Sequence, residues 1–167
     1  MKAIKFGVCG VGRIGDQHCR VFSQDRKQYE LVALCDIDQD RVTAKAAEFG
    51  GKGYTGFAEF LANPEMELAI IATRSLDHAR NAAQALSAGK TVLLEKPTGV
   101  TAEDYRLLKC LDRKYPEKLY FGHNHRFEPA FENTRAIISQ GLLGKIQVVK
   151  LCKHHVFMRR NDWQMRL

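Results

Sequence analysis

Three glycines and one acid at fixed spacing carry the first chemistry in this chain: Gly10, Gly12 and Gly15, then Asp36, 21 residues after the last glycine. Gly10 allows a sharp strand-to-helix turn, Gly12 removes the Cβ that would hold a pyrophosphate off the backbone, and Gly15 lets a helix pack closely on a strand. The free N–H groups of the first helical turn then face the phosphates. Asp36, at the end of a second strand, can accept hydrogen bonds from ribose hydroxyls, each worth about 1.5–3 kcal/mol to a charged acceptor. The same carboxylate repels a 2′-phosphate, which favours NAD over NADP. Ile37, standing where a phosphate-binding Arg or Ser would sit, agrees, while Arg41 and Lys45 leave the choice open. A second chemical candidate is Glu95-Lys96-Pro97. A lysine just past a strand end can reach the nicotinamide end of a dinucleotide and hydrogen-bond a substrate oxygen. Pro97 biases Lys96 away from helical geometry and permits a cis peptide bond.

These residues need strands that end beside one another. An apolar strand (Ile4, Phe6, Val8) runs into Gly10-Val11-Gly12-Arg13-Ile14-Gly15, a helical stretch follows, and a strand from Leu31 to Cys35 ends on Asp36. That is the βαβ context a G-x-G-x-x-G motif requires. The alternation continues with a helix over Gln39 to Phe49, a short strand near Tyr54 and a small helix from Phe57 to Ala62. Leu68 to Ala72 is a continuous apolar run, as in a strand buried on both faces of a parallel sheet. A helix over Asp77 to Ala88, with Gly89 just past its end, precedes a strand over Thr91 to Leu94. Thr101 with Asp104 reads as a capping box opening a helix to about Lys114, and Leu119 to Gly122 is a further strand. The order predicts an α/β fold, a doubly wound Rossmann parallel sheet over residues 1–122. Residues 123–167 break the pattern: a helix over Pro129 to Gln140, a Gly141-Leu142-Leu143-Gly144 turn, and a long alternating strand over Lys145 to Val156. A lone strand leaves unpaired backbone groups, so this helix and strand are expected to begin an incomplete α+β second domain.

Composition narrows the class. At 167 residues the chain is long enough for one domain with a real core and short for two. Its 45% hydrophobic and 27% charged content is ordinary for a globular protein. The start, Met1-Lys2-Ala3-Ile4-Lys5, has no signal-peptide pattern, and no stretch approaches the roughly 20 apolar residues of a membrane span. Five scattered cysteines (Cys9, Cys19, Cys35, Cys110, Cys152) form no C-x-x-C and read as reduced residues of a cytoplasmic protein. The net charge of +7 is concentrated late: residues 145–167 carry six basic residues against Asp162 alone, whereas residues 1–144 carry 20 basic and 18 acidic. These charges alternate with Val148, Val149, Leu151 and Val156, as on the wet face of a strand, so no nucleic-acid or membrane partner is expected. His123, His125 and the His154-His155 pair do not make the three or four converging ligands of a metal site, so no metal is expected.

Several further motifs stand in order with the fingerprint. They are Ala69-Ile70-Ile71-Ala72-Thr73 with His78, Ala88-Gly89-Lys90-Thr91-Val92-Leu93-Leu94-Glu95-Lys96-Pro97, Gly122-His123-Asn124-His125-Arg126-Phe127-Glu128-Pro129, and Gly141-Leu142-Leu143-Gly144-Lys145-Ile146. Together they resemble the Gfo/Idh/MocA family of dinucleotide-dependent oxidoreductases over nearly the whole chain. The resemblance implies an N-terminal Rossmann domain and a C-terminal α/β domain on a mostly antiparallel sheet that also serves oligomerisation. It implies NAD-dependent hydride transfer to or from a carbinol or ketone of a sugar, cyclitol or related small molecule. By position, Gly10, Gly12, Gly15 and Asp36 would bind the cofactor, with Arg13, Ile14, Ile37 and His78 completing the set. Thr73 and Glu95 would lie beside it, Lys96 between nicotinamide and substrate as the catalytic candidate, and Asn124 and Arg126 near the same site. Two departures stand out. Arg74 and Ser75 replace the Pro and small polar residue that often follow the strand-end Thr, and the family's usual Asp and His acid/base pair falls beyond Asp162-Trp163-Gln164. The expectation is thus a cofactor-binding half without its full active site. The alternatives are a non-catalytic dinucleotide sensor on the same fold, or an interaction module pairing through its last strand.

Overall fold

Alternation of apolar side chains builds a sheet with two covered faces in the computed structural model, which describes residues 2–152. In β1 (Ile4–Cys9), Phe6 and Val8 point to one face and Cys9 to the other. The same split recurs in β2 (Tyr29–Cys35), with Leu34 opposed to Ala33 and Cys35, and in β4 (Leu68–Ile71), with Ile70 opposed to Ala69 and Ile71. The other strands are β3 (Lys52–Tyr54), β5 (Thr91–Leu94) and β6 (Leu119–Phe121). All neighbouring pairs are parallel, in the order β3-β2-β1-β4-β5-β6. The chain therefore reverses its direction of travel across the sheet between β1 and β4, the position where open α/β sheets form a ligand crevice. This is the Rossmann-like α/β fold expected from the sequence.

Helices cover both faces. Cys19 of α1 (Arg13–Ser23) packs with Phe6, Val8, Leu34 and Ile70, and Ala46 and Phe49 of α2 (Gln39–Phe49) close that layer. On the other face lie Phe60 and Leu61 of α3 (Phe57–Leu61), Ala79, Ala82 and Leu86 of α4 (His78–Ser87), and Leu108 and Leu111 of α5 (Ala102–Lys114). Burying a Leu or Phe side chain fully is worth roughly 1.5–3 kcal/mol, so these two layers hold the strands in register. Cys9 and Cys35 are register partners inside this core. The adjacent Cys35 sulfur and burial push the Cys9 thiol well up, which leaves it an inert core residue.

Local signals place the helix ends. The Thr101 side chain accepts the Asp104 N–H at 3.1 Å while the Asp104 carboxylate accepts the Thr101 N–H at 3.1 Å, the expected capping box of α5. The Asp38 side chain caps α2 by accepting the Arg41 N–H at 3.0 Å. Before α4 the structure departs slightly from expectation: Ser75–Asp77 is a 3-10 turn, closed by the Asp77 N–H on the Arg74 carbonyl at 2.9 Å, and the α-helix starts at His78.

The chain divides into two compact units between His123 and Asn124. In the second, a 3-10 turn over Asn124–Phe127 leads to α6 (Pro129–Ser139), which has Pro in its first turn, and Gly141 and Gly144 take positive φ in the turn that follows. The strand expected over Lys145 to Val156 is not formed in residues 145–152, and residues 153–156 lie outside the described residues. Alternation prepares a strand, but its backbone groups need a neighbouring strand to pair with, and none of the described strands pairs there.

Two outcomes follow from the packing. Thr101→Ala removes the cap of α5 and should lower stability to chemical denaturation by about 1 kcal/mol. Gly15→Ala would set a Cβ 2.0 Å from the Gly10 carbonyl oxygen, a backbone atom that cannot yield cheaply. The expected loss is about 1–3 kcal/mol by the same measurement, and an unchanged midpoint would contradict the close α1–β1 approach.

Candidate functional site

Parallel strands put all their carboxyl ends on one edge, and the hydrogen-bond ladder continues one step past them. Gly10 N–H donates to the Cys35 carbonyl at 2.7 Å, Ala72 N–H to Cys9 at 2.8 Å, Glu95 N–H to Ile71 at 3.0 Å and Gly122 N–H to Leu94 at 2.8 Å. Asp36, Gly10, Thr73, Glu95 and Gly122 therefore stand in a row along the edge, in strand order.

At the centre of the row is the glycine turn. Gly10 has φ +87°, and a Cβ there would lie 2.5 Å from the Ala72 carbonyl oxygen, so both conformation and space demand glycine. A Cβ on Gly12 would meet nothing within 4 Å, so the space over the turn is open. Gly12 precedes α1, no side chain caps that helix, and its first main-chain bond is Asp16 N–H to the Gly12 carbonyl at 2.8 Å. The N–H groups of Arg13, Ile14 and Gly15 thus have no intrahelical acceptor and carry the positive end of the helix dipole. An open, glycine-lined approach to a helix N-terminus fits a dinucleotide pyrophosphate. Arg13 is exposed and Ile14 half-buried beside it.

Asp36 is buried, and its carboxylate is bonded on both oxygens. Oδ2 accepts the Val11 N–H at 3.0 Å, which ties the glycine turn to the end of β2. Oδ1 accepts the Asp38 N–H at 3.1 Å and the Arg41 guanidinium at 3.1 Å. A carboxylate offers about four lone-pair sites, so acceptor capacity remains for a ribose diol. Lys45, the other cation left open by the sequence, is taken up by Asp16 and by Glu48, the latter at 2.7 Å. Ile37 is 91% exposed and Leu76, on the turn after β4, is 63% exposed.

The far half of the row is more polar. The Thr73 hydroxyl accepts from the Asn81 amide at 3.2 Å. Glu95 is buried, with Oε1 2.9 Å from His18 Nε2 and Oε2 accepting the Lys96 N–H at 3.0 Å. Burial alone pushes this carboxyl up, but the His18 and Lys96 N–H bonds and the charges behind them outweigh it and hold it below the usual carboxylate range. Lys96 itself is exposed, and the Lys96–Pro97 peptide bond is cis. His78 is not placed as a free cofactor ligand. It is buried, with Nε2 3.0 Å from the Thr73 carbonyl oxygen and Nδ1 2.6 Å from that of Pro97, so both ring nitrogens are engaged by the main chain. Asn124 and Arg126 belong to the second unit, in its opening 3-10 turn.

Three participants escaped the sequence reading of the site: His18, Asn81 and the Asp36 contact of Arg41. His18 lies one helical turn after Gly15, which is a usable signal, but its partner Glu95 is 77 positions away in sequence. Among the described residues no cluster of three metal-ligating side chains forms, and no helix is long and apolar enough to cross a membrane.

Known proteins resemble this chain in sequence and in fold. Residues 4–123 match the model of an oxidoreductase family, the NAD-binding Rossmann fold of Gfo/Idh/MocA. Inositol 2-dehydrogenase of Salmonella typhimurium is 30% identical over 145 residues, covering 85% of this chain and 43% of the relative. Human trans-1,2-dihydrobenzene-1,2-diol dehydrogenase is 32% identical over 150 residues, covering 89% and 45%. The crystal structure of scyllo-inositol dehydrogenase from Lactobacillus casei with NAD(H) and scyllo-inositol superposes with a TM-score of 0.80 at 24% identity, over 86% of this chain and 43% of that one. The chain thus spans less than half the length of each of these relatives. With the fingerprint turn, the strand order and the family match in agreement, this chain belongs to the Gfo/Idh/MocA family of oxidoreductases, over its NAD-binding Rossmann domain.

Proposed function

We propose that the protein is an NAD-dependent oxidoreductase that moves hydride between the nicotinamide and a carbinol or ketone of a cyclitol, sugar or related polyol. The observation that carries this reading is the row along the carboxyl edge of the sheet: a ribose acceptor at Asp36, an open glycine turn at Gly12, and a buried carboxylate with an exposed lysine at Glu95 and Lys96. Relatives that act on inositols and on a dihydrodiol support the substrate class. NAD, when bound, supplies the hydride acceptor or donor. Asp36 takes the adenosine ribose hydroxyls, and the N–H groups of Arg13, Ile14 and Gly15 take the pyrophosphate. Ile37, the exposed apolar side chain next to Asp36, covers the adenine. Thr73 and Glu95 position the nicotinamide half. Lys96 donates a hydrogen bond to the substrate oxygen and so stabilises negative charge on that oxygen during hydride transfer. The segment from Asn124 onward begins the substrate and oligomerisation domain.

Arg41 favours a second reading of the cofactor alone. Its guanidinium sits on Asp36, 3.1 Å from Oδ1, and offsets part of the repulsion that would exclude a 2′-phosphate. The Asp36 carboxylate is the buried partner and Arg41 the half-exposed one, so NAD remains the preferred cofactor.

Titration of the purified chain with NAD and NADP, followed by calorimetry, checks the reading. NAD should bind more tightly than NADP, and Asp36→Asn should weaken NAD by roughly 10- to 100-fold, the equivalent of about 1.5–3 kcal/mol. Unchanged NAD affinity in that variant would remove the ribose assignment. Equal binding of the two cofactors would give Arg41 the larger say, and Arg41→Ala should then restore the preference for NAD.

A further inference from the structure

The cofactor reading leaves His78 without a task, yet it is the least exposed of the buried polar side chains, at 2%. It opens α4, where Ala79 and Ala82 are packed into the core, so its backbone is fixed. Both ring nitrogens lie within hydrogen-bond distance of main-chain carbonyls, Thr73 at 3.0 Å and Pro97 at 2.6 Å. A carbonyl only accepts, so each nitrogen must carry a proton. A neutral imidazole has one N–H; two donors exist only in the imidazolium. The adjacent Asp77 is paired with Arg74 and Arg80, and Glu95, just past β5, with His18.

This arrangement is expensive as packing. A buried cation without a carboxylate partner costs free energy, and a positive charge at a helix N-terminus opposes the helix dipole. An apolar side chain of similar volume would fill the space without either cost. What the ring achieves instead is a bond between two strand ends: Thr73 follows β4, and Pro97 follows β5 immediately after Lys96. Charge-assisted hydrogen bonds are the strong ones, and two from one rigid ring fix the separation of the carbonyls they bridge.

We propose that His78, as the imidazolium, is a positioning residue that clamps the Thr73 and Pro97 carbonyls together and so sets the direction of Lys96 toward the nicotinamide half of the dinucleotide. The clamp rests on the cofactor reading above. It acts on the β4–β5 side of the crevice only, because Asp36 and its adenosine contacts stand at the end of β2, on the other side of β1.

The test compares ligands that do and do not reach that side. His78→Leu should weaken NAD about tenfold or more, as expected for loss of hydrogen bonds from a charged group, and leave ADP within about twofold. His78→Gln, whose single neutral amide nitrogen still donates N–H groups, should recover part of the lost NAD affinity. Ring nitrogen NMR of the wild type should show protons on both nitrogens of His78. A parallel loss of NAD and ADP, or no rescue by glutamine, would reduce the residue to a structural one and overturn the proposal. One bare ring nitrogen would overturn it independently, even if His78→Leu fails to fold. Wild-type protein that binds ADP and NAD equally weakly would refute the cofactor reading itself, and the nitrogen spectrum would still decide the clamp.

Discussion

Everything functional in this molecule depends on the parallel pairing of β1, β2, β4 and β5. Parallel strands cannot be joined by tight turns; each return needs a crossover, here a helix, and the helices cover both faces of the sheet. The consequence is geometric. Every strand ends on the same edge, so Asp36, Gly10, Thr73 and Glu95, spread over 86 positions of sequence, finish as neighbours. The ladder bonds that continue past the strands, from Gly10 to Cys35 and from Glu95 to Ile71, carry that order into the loops. The site is the sheet's edge continued by one residue.

Sequence patterns revealed what depends on local chemistry. The glycine turn was legible because its requirements are backbone ones: a positive φ at Gly10 and a 2.0 Å conflict for any side chain at Gly15 leave no other residue type. The cap of α5 was legible for the same reason, since Thr101 and Asp104 lie three positions apart and satisfy each other. The sheet was legible from its buried runs, and Leu68 to Ile71 needed no alternation to be recognised. What stayed hidden depends on contacts made across the fold. His18 and Glu95 meet only because α1 packs beside the end of β5, and nothing in their spacing announces it. Arg41 was seen as a neighbour in sequence, but its position over Asp36 comes from the first turn of α2. The expected strand over Lys145 to Val156 shows the converse. Its alternating pattern is present, yet residues 145–152 form none, because a pattern describes a willing strand and only a partner completes it.

The electrostatics of the edge differ from those of the core it rests on. The sheet interior is made of Phe, Val, Leu, Ile, Ala and Cys, while three of the four buried polar side chains among the described residues, Asp36, His78 and Glu95, lie at the carboxyl edge. Each is held by donors or acceptors from another element, and among the described residues no buried side-chain nitrogen or oxygen lacks a partner. Burying such groups costs free energy unless they are hydrogen-bonded, and even when bonded the net gain is modest. An apolar edge would fold as well. The polar residues are therefore better explained by the preorganisation they bring to a site that must hold a charged, hydroxyl-rich ligand in one orientation.

That preorganisation is unevenly shared between the two halves of the crevice. On the β2 side, Asp36 is fixed by main-chain N–H groups of Val11 and Asp38, with the Arg41 guanidinium beside it. On the β5 side, two imidazoles do the holding, His18 on Glu95 and His78 on Pro97. The Asp36 end of the row thus rests largely on main-chain groups, and the Glu95 end on side-chain rings. Under the proposed function, the constant half of the cofactor and its reacting half would meet different chemistry on the two sides.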